Sequence, residues 1–566
     1  MSLKSNSNWI LPKKKLKGDI VDFVLQSRKI EKEGFLNPSL DSIPSFKKLY
    51  NTVKAAKEII RSVKDKKRIV IHGDFDADGI CSVSILWEFL FKEVSEILDI
   101  KVDVVPYIPS RVEQGYGLTE SSINDVLELG GELLISVDCG VRDEELINRF
   151  LEEEKLKFVI TDHHQPPEDF NNNLKYSLVH PMYPKHNYPE EDVCGTFVTF
   201  LLIQAIKAEI GVEKEITEKT KGLDLVAMAT VTDLMPLLGV NRTVVKYGLE
   251  QMKEGNRVGL DELIKVSGVE LGEIDSYKLG YILGPRINAA GRIGSPLDAV
   301  RLLVSEKREF CKGIANILNE TNFERQHMTQ KGMDEAIDII ADSDDKLLFV
   351  VGDNWHEGIV GLIAGKLNEK YYKPVLVATR NKDGVRGSAR SIEGFNVTDA
   401  LSKCDKYLDR YGGHELAAGF TIKKGKEKEF AKCIHKISEE LITEEMLTKD
   451  IHIDLLLNSK DINRELVKKL NMLEPFGYAN RKPLIAMQEL VVVKKKVMGK
   501  LGNHMKLICK GESIDLITLV MFSCDEDVEE ISEDDLIDVV GAVGINSWNG
   551  KETIQFLVRE WRHPVT

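Results

Sequence analysis

Arg68-Ile-Val-Ile-His72-Gly-Asp74-Phe-Asp76-Ala-Asp78-Gly79 is the stretch on which the fold turns. Ile69, Val70 and Ile71 run without polar alternation, the pattern of a parallel strand buried on both faces. A histidine and three aspartates follow within seven positions, and residues 80–90 (ICSVSILWEFL) then have the composition of a buried helix. Carboxylates this close repel one another, and burying them unpaired is costly. Cations relieve both costs, and hard divalent ions favour an oxygen-rich shell of Asp and His. Taken alone, the stretch also fits an acidic turn in which Asp78 starts the next helix and Gly79 relieves the backbone.

Neighbouring segments decide between these readings. Apolar runs at 101–105 (KVDVV), 133–137 (LLISV) and 158–160 (FVI) alternate with helix-like segments, which predicts an α/β domain with a parallel sheet. The run at 133–137 ends at Asp138-Cys139-Gly140, and that at 158–160 ends at Thr161-Asp162-His163-His164. Ligands of open parallel sheets sit beyond the carboxyl ends of the strands. Three strand ends therefore direct Asp and His side chains into one crevice, which independent helix caps do not reproduce. Residues 223–231 predict a buried helix ending at Thr232-Asp233. Residues 281–294 (YILGPRINAAGRIG) read as a glycine-rich loop carrying Arg286, Asn288 and Arg292.

The chain's 566 residues exceed one core and predict several domains, with an apolar fraction of 43% and a charged fraction of 30% typical of globular proteins. No run approaches the ~20 apolar residues of a membrane span. Lys13-Lys14-Lys15 has no apolar segment behind it, so the start is not read as a secretory signal. Eight dispersed cysteines without a Cys-x-x-Cys pair argue against zinc ribbons and a disulfide framework, and for reduced thiols in the cytoplasm. The net charge of −14 excludes an all-over basic surface but not a basic channel.

Residues 1–45 read as an N-terminal extension packed on the first domain, 46–300 as that domain, 301–345 as a long connecting helix and 346–449 as a second α/β domain. Residues 450–566 contain five strand-like runs, at 490–498, 505–509, 514–520, 536–543 and 554–558. Turns at Gly499, Gly511, Gly541 and Gly550 would close them into an OB-like barrel. Its lysines 494–496, 500 and 506 suit a single strand's backbone, while the acidic run at 525–535 opposes that. The glycines around Lys366 do not form an ATP loop: Val360 stands where the first glycine belongs and Leu367 where Ser or Thr belongs.

Gly73-Asp-Phe-Asp-Ala-Asp-Gly79, Asp138-Cys-Gly140, Asp162-His163-His164 and Thr232-Asp233 resemble, in order, the motifs of the DHH phosphoesterase superfamily. Gly412-Gly413-His414 resembles its associated substrate-binding domain. Trp355-His-Glu-Gly-Ile-Val-Gly361, residues 284–292 (GPRINAAGR) and residues 319–326 (NETNFERQ) resemble its single-strand-specific exonuclease branch. The resemblance covers nearly everything from residue 46 onward and does not account for the extension. It implies two Mn²⁺ or Mg²⁺ ions, one held by His72, Asp76 and Asp138, the other by Asp78, Asp138, His163 and Asp233, with Asp138 bridging. Asp74 and Asp162 would orient these ligands, and His164 would touch a substrate phosphate or support the ligands. Arg286, Arg292, Ser388, Arg390, Gly412, Gly413 and His414 would hold the nucleic acid.

The implied activity is 5′-to-3′ degradation of single-stranded DNA to 5′-mononucleotides in recombination and repair. A monomer supplied by a RecQ-type helicase and a single-strand-binding protein goes with it. The alternatives are a phosphodiesterase for short oligoribonucleotides or cyclic dinucleotides, and a catalytically silent single-strand-binding scaffold.

Overall fold

The computed structural model describes residues 3–110, 114–167, 174–184, 188–341, 343–382, 384–511, 515–524, 526–548 and 551–564. Ile514, Asp525 and Gly550, named above, lie outside the described residues. Among the described residues, no helix is long and apolar enough to cross a membrane.

The first sheet is wholly parallel. Its strands are Ile69–Gly73, Val104–Tyr107, Leu133–Val137, Lys157–Thr161 and Ser177–Val179. Numbered along the chain, they lie in the order 2-1-3-4-5. That order reverses between the first and third strands, the switch point where a crevice opens beyond the carboxyl ends. Ile69–Gly73 and Leu133–Val137 are buried along their whole length, as their largely apolar runs predict. Helices Ala77–Glu88, Gly195–Glu209 and Leu223–Thr232 cover one face and are themselves almost entirely buried. Their apolar residues share one core with Ile71, Ile135 and Val159 of the sheet.

Residues 281–294 are helical rather than a loop: a π-helical stretch, Leu279–Leu283, runs into helix Gly284–Ile293. The glycines there provide close approach and not a turn. A Cβ on Gly291 would stand 1.9 Å from the carbonyl oxygen of Phe75, so only glycine lets this helix rest on the aspartate loop.

The connecting helix is Arg308–Ile340, 33 residues and thus about 50 Å long. It leads to a mixed sheet in the order Leu408–His414, Ala417–Ile422, Gly384–Arg390, Val375–Asn381, Leu348–Asp353. Only the last pair is parallel. The C-terminal strands Ile485–Met498, His504–Lys510, Leu516–Met521, Leu536–Trp548 and Lys551–Arg562 close into a barrel through pairing of the first with the fourth. Gly541 is not a turn. It lies within a strand beside a register shift, where a Cβ would meet the carbonyl oxygen of Leu557 at 2.0 Å.

The N-terminal extension divides between two domains instead of packing on the first. Leu40, Ile43 and Phe46 do join the first core. Ile20, Val21, Val24, Leu25 and Phe35 enter the barrel core, and Asn8–Ile10 pairs in parallel with Asp450–His452. Arg28 makes a two-pronged bond to Asp454, at 2.8 and 3.0 Å. Arg242 of the first domain stacks on the Phe35 ring and donates to the carbonyls of Phe35, Leu473, Glu474 and Pro475, clasping extension, first domain and barrel entry together. The reduced-thiol expectation has one exception: Cys404 and Cys433, 29 residues apart in sequence, form a disulfide, while the other six cysteines are free and buried.

Candidate functional site

His72 lies near the end of the first strand, fully buried, and the chain then turns through Asp74 and Asp76 into helix Ala77–Glu88. Asp76, and not Asp78, caps that helix, its Oδ1 accepting from the backbone N–H groups of Asp78 and Gly79. Asp78 instead meets the start of a second helix, Gly195–Glu209. It accepts from the N–H groups of Gly195 and Thr196 at 2.6 and 2.7 Å and from the Thr196 hydroxyl at 2.6 Å. Helix N-termini favour anions through their unpaired N–H groups and dipole, and these bonds fix the Asp78 side chain deep in the crevice.

Asp138 follows the third strand with φ at +64°, a conformation uncommon for a side-chain-bearing residue. This turns its carboxylate toward the helix start at Gly195, where a Cβ would stand 2.6 Å from Asp138 Oδ1. His163 follows the fourth strand. Its Nε2 lies 3.1 Å from Asp138 Oδ1, 3.5 Å from Asp233 Oδ2 and 3.6 Å from Asp78 Oδ2. Asp233 reaches this point as the residue closing helix Leu223–Thr232.

Three groups of donor atoms lie within 4.8 Å of one another: Asp74, Asp76 and Asp138; Asp78, His163 and Asp233; and Asp138, His163 and His164. Asp138 thus belongs to both sides of the cluster. Asp74 shares one of the groups with Asp76 and Asp138. His72 is in none of the three groups, but its Nε2 is buried without a hydrogen-bond partner, as are Asp138 Oδ1, His163 Nε2 and Asp233 Oδ2.

Burial raises the carboxyls of Asp76, Asp138 and Asp233 above their ordinary range, and the charge of Asp78 raises them further. Burial lowers His163, and takes His72 to about 4, leaving neutral rings with a lone pair to offer. Orphaned buried donors, mutually repelling carboxyls and neutral imidazoles together fit divalent metal ions, which supply the missing positive charge.

Asp162 organises the loop around these groups. Its Oδ1 accepts from the N–H groups of His163 and His164, and its Oδ2 from that of Val141. Burial opposes its ionisation, but the bond to His164 at 2.8 Å prevails and holds it well below the carboxylate range. Burial likewise opposes protonation of His164, yet Asp162 lifts it to about 9, leaving a cation at the crevice edge.

Two residues of this site were not singled out from the sequence. The Tyr116 hydroxyl lies 2.9 Å from His164 Nδ1. His180 accepts from Met182 N–H at Nδ1, so its Nε2 donates to the His164 carbonyl. A tyrosine flanked by glycines was the one available signal, and His180 acquires meaning only when strand ends meet. Asn288 accepts from Ala77 N–H and ties the helix of Arg292 to the aspartate loop.

A cavity of about 500 Å³ opens on the second sheet, lined by Arg292, Ser388, Arg390 and Gly412 and also by Arg386 and Arg410. Arg390 donates to Ser388 Oγ at 3.0 Å, and Arg386 pairs with Glu357 at 3.1 Å. Gly413 and His414 lie beyond its lining, at the end of the edge hairpin. Arg286 is also outside, bonded to Asn319 of the connecting helix. Arg292 donates to the Gly358 carbonyl at 3.2 Å, so one helix touches both the aspartate loop and the cavity.

Family models match in the same order along the chain: the DHH family N-terminal domain at residues 68–230, the DHHA1 domain at 344–441 and the RecJ OB domain at 453–560. The single-stranded-DNA-specific exonuclease RecJ of Bacillus subtilis is 35% identical over 511 residues, a match covering 90% of this chain and 63% of that protein's length. The Haemophilus influenzae protein of the same name is 27% identical, with 95% of each chain covered. The crystal structure of Thermus thermophilus RecJ in complex with Mn²⁺ superposes with a TM-score of 0.82 at 25% identity, covering 97% of this chain and 76% of that one. With all three modules present in that order, the chain belongs to the RecJ family of DHH proteins.

Proposed function

We propose that this chain is a single-strand-specific DNA exonuclease that works from the 5′ end and releases 5′-mononucleotides in recombination and repair. The observation that carries the reading is one helix, Gly284–Ile293, that rests on the aspartate loop at one point and enters an arginine-lined cavity at another. A phosphate held in the cavity thereby stands on the same rigid element as the donor cluster. The relatives' names give the substrate, and the related structure holds Mn²⁺.

Asp78, Asp138, His163 and Asp233 would hold one ion, and Asp76 and Asp138, with His72 or Asp74, the other. Mn²⁺ or Mg²⁺ held there would supply Lewis acidity for an attacking water and for charge on the phosphoryl oxygens. The chain's own residues do the rest. Asp162 fixes the loop that presents His163, and protonated His164 faces a phosphate oxygen with Tyr116 beside it. In the cavity, Arg390, steadied by Ser388, and Arg292 pair with phosphate oxygens through their planar forks. Gly412 leaves the edge strand open enough for the strand's backbone to approach, while Gly413, His414 and Arg286 are placed to contact it farther out.

Domain limits are taken at 46–300, 346–449 and 450–566, with 301–345 connecting. The family resemblance supports a cytoplasmic monomer supplied by a RecQ-type helicase and a single-strand-binding protein.

The test is a time course on DNA labelled at either end, with Mn²⁺, Mg²⁺ or chelator, against single strands and blunt duplex. Immediate mononucleotide release from a 5′ label on single strands, abolished by chelator, is expected. Strand binding without hydrolysis, or hydrolysis of very short oligomers only, would overturn the reading.

A further inference from the structure

The helical run that carries Arg292 begins, several turns earlier, with two aromatic rings in solvent. Tyr277 and Tyr281 are 63% and 73% exposed, yet their rings stack at a centroid distance of 4.8 Å and an interplanar angle of 27°. One turn apart on a helix, they form a two-ring stack with aromatic surface open to solvent rather than two isolated surface residues.

Its position is fixed from both sides. Gly280 and Gly284 let the run lie against Val231 and Thr232, the last turn before Asp233. Leu234, directly after Asp233, is 69% exposed. On the other side, Ser276 donates to the Phe476 carbonyl, and Leu237 N–H donates to the carbonyl of Tyr478, whose ring is 54% exposed. Exposed apolar side chains from three segments thus flank the way from the barrel entry to the donor cluster.

Positive charge accompanies them. Arg286, five residues beyond Tyr281, is held by Asn319, and Arg325 is held by Asn322 on the same connecting helix. Among the described residues neither guanidinium is paired with a carboxylate, and burial together with mutual repulsion lowers Arg286. Aromatic faces next to cations that lack a counter-charge match the bases and phosphates of a single strand, a combination that stacking proteins use without regard to sequence.

We propose that Tyr277 and Tyr281 form a stacking platform for bases of the strand that has yet to reach the metal centre, with Arg286 and Arg325 receiving the adjoining phosphates. This inference rests on the nuclease reading for its direction of travel, but its ligand is any single-stranded nucleic acid. The platform keeps the uncleaved part of the strand in line between the barrel and the crevice. It adds sequence-independent affinity that a substrate too short to reach it does not receive.

The test uses the full chain with single strands carrying 2-aminopurine at successive positions, in chelator so that the strand stays intact. Quenching at one or two adjacent internal positions is expected, lost in the double variant Tyr277→Ala/Tyr281→Ala and retained in Tyr277→Phe/Tyr281→Phe. Affinity for a long strand should fall roughly ten-fold in the alanine variant, within the range for loss of base–aromatic stacking. With metal restored, the ratio of kcat/KM on a long strand to that on a dinucleotide should fall with it. Unchanged quenching and affinity in the alanine variant would overturn the platform while wild-type hydrolysis left the nuclease reading intact. Quenching by a wild-type protein that cleaves nothing would do the reverse.

Discussion

The acidic crevice of the first sheet and the basic cavity of the second face the same substrate in opposite ways. In the crevice, charge is concentrated and buried: Asp78 and Asp138 are almost inaccessible, and neighbouring carboxyls rise because they are buried and because they cannot all ionise side by side. In the cavity Arg386 and Arg410 lie on strands and are open to water, and Arg386 already has a carboxylate partner. The crevice stores electrostatic energy that a cation releases, whereas the cavity offers charge that solvent has already screened. The first is therefore built for chemistry and the second for placement, and their variants should fail differently.

Asp138→Asn should give the largest effect. Removing the carboxylate shared by both sides of the cluster takes away several kcal/mol of metal-dependent stabilisation, roughly a thousand-fold or more in kcat. Titration calorimetry should show loss of high-affinity Mn²⁺ binding with strand affinity retained. Retained binding of two ions would break the contrast. Arg390→Gln should act on KM instead, costing about 1.5–3 kcal/mol of binding, roughly ten- to a hundred-fold, with kcat little changed. A kcat loss of that size would mean the cavity takes part in chemistry.

Gly195→Ala asks how closely the crevice is built. The added methyl meets Asp138, an overpacking cost of about 1–3 kcal/mol, and melting and Mn²⁺ affinity should fall together. Arg28→Ala is remote from both regions. Losing its two-pronged bond to Asp454 should cost about 1–2 kcal/mol of barrel stability. That reads as a lower melting temperature with both kinetic constants unmoved per folded molecule.

Strand runs stopped by Asp and His were readable in the sequence because burial on both faces leaves an uninterrupted apolar signature, as at 69–71 and 133–137. What stood after each run then fell into one crevice by topology alone. Glycine was the misleading residue. At Gly284, Gly291 and Gly541 it marks close backbone approach, and single-chain patterns cannot separate that from a turn. The apolar spacing of Ile20, Val21, Val24 and Leu25 announces a buried face without saying which domain buries it. Spacing along a loop does not fix where a carboxylate points, and Asp74 lies within reach of both Asp76 and Asp138. The Cys404–Cys433 bond joins residues that sequence distance keeps apart.

The division of the N-terminal extension bears on the order in which the protein is made. Ile20, Val24 and Phe35 leave the ribosome early, but the barrel that covers them is translated only after both α/β domains. At roughly 5–20 residues per second, those side chains wait on the order of half a minute without their final partners. Chains halted before the barrel carry that greasy segment uncovered, a mark by which chaperones and proteases can tell a broken message from a finished protein.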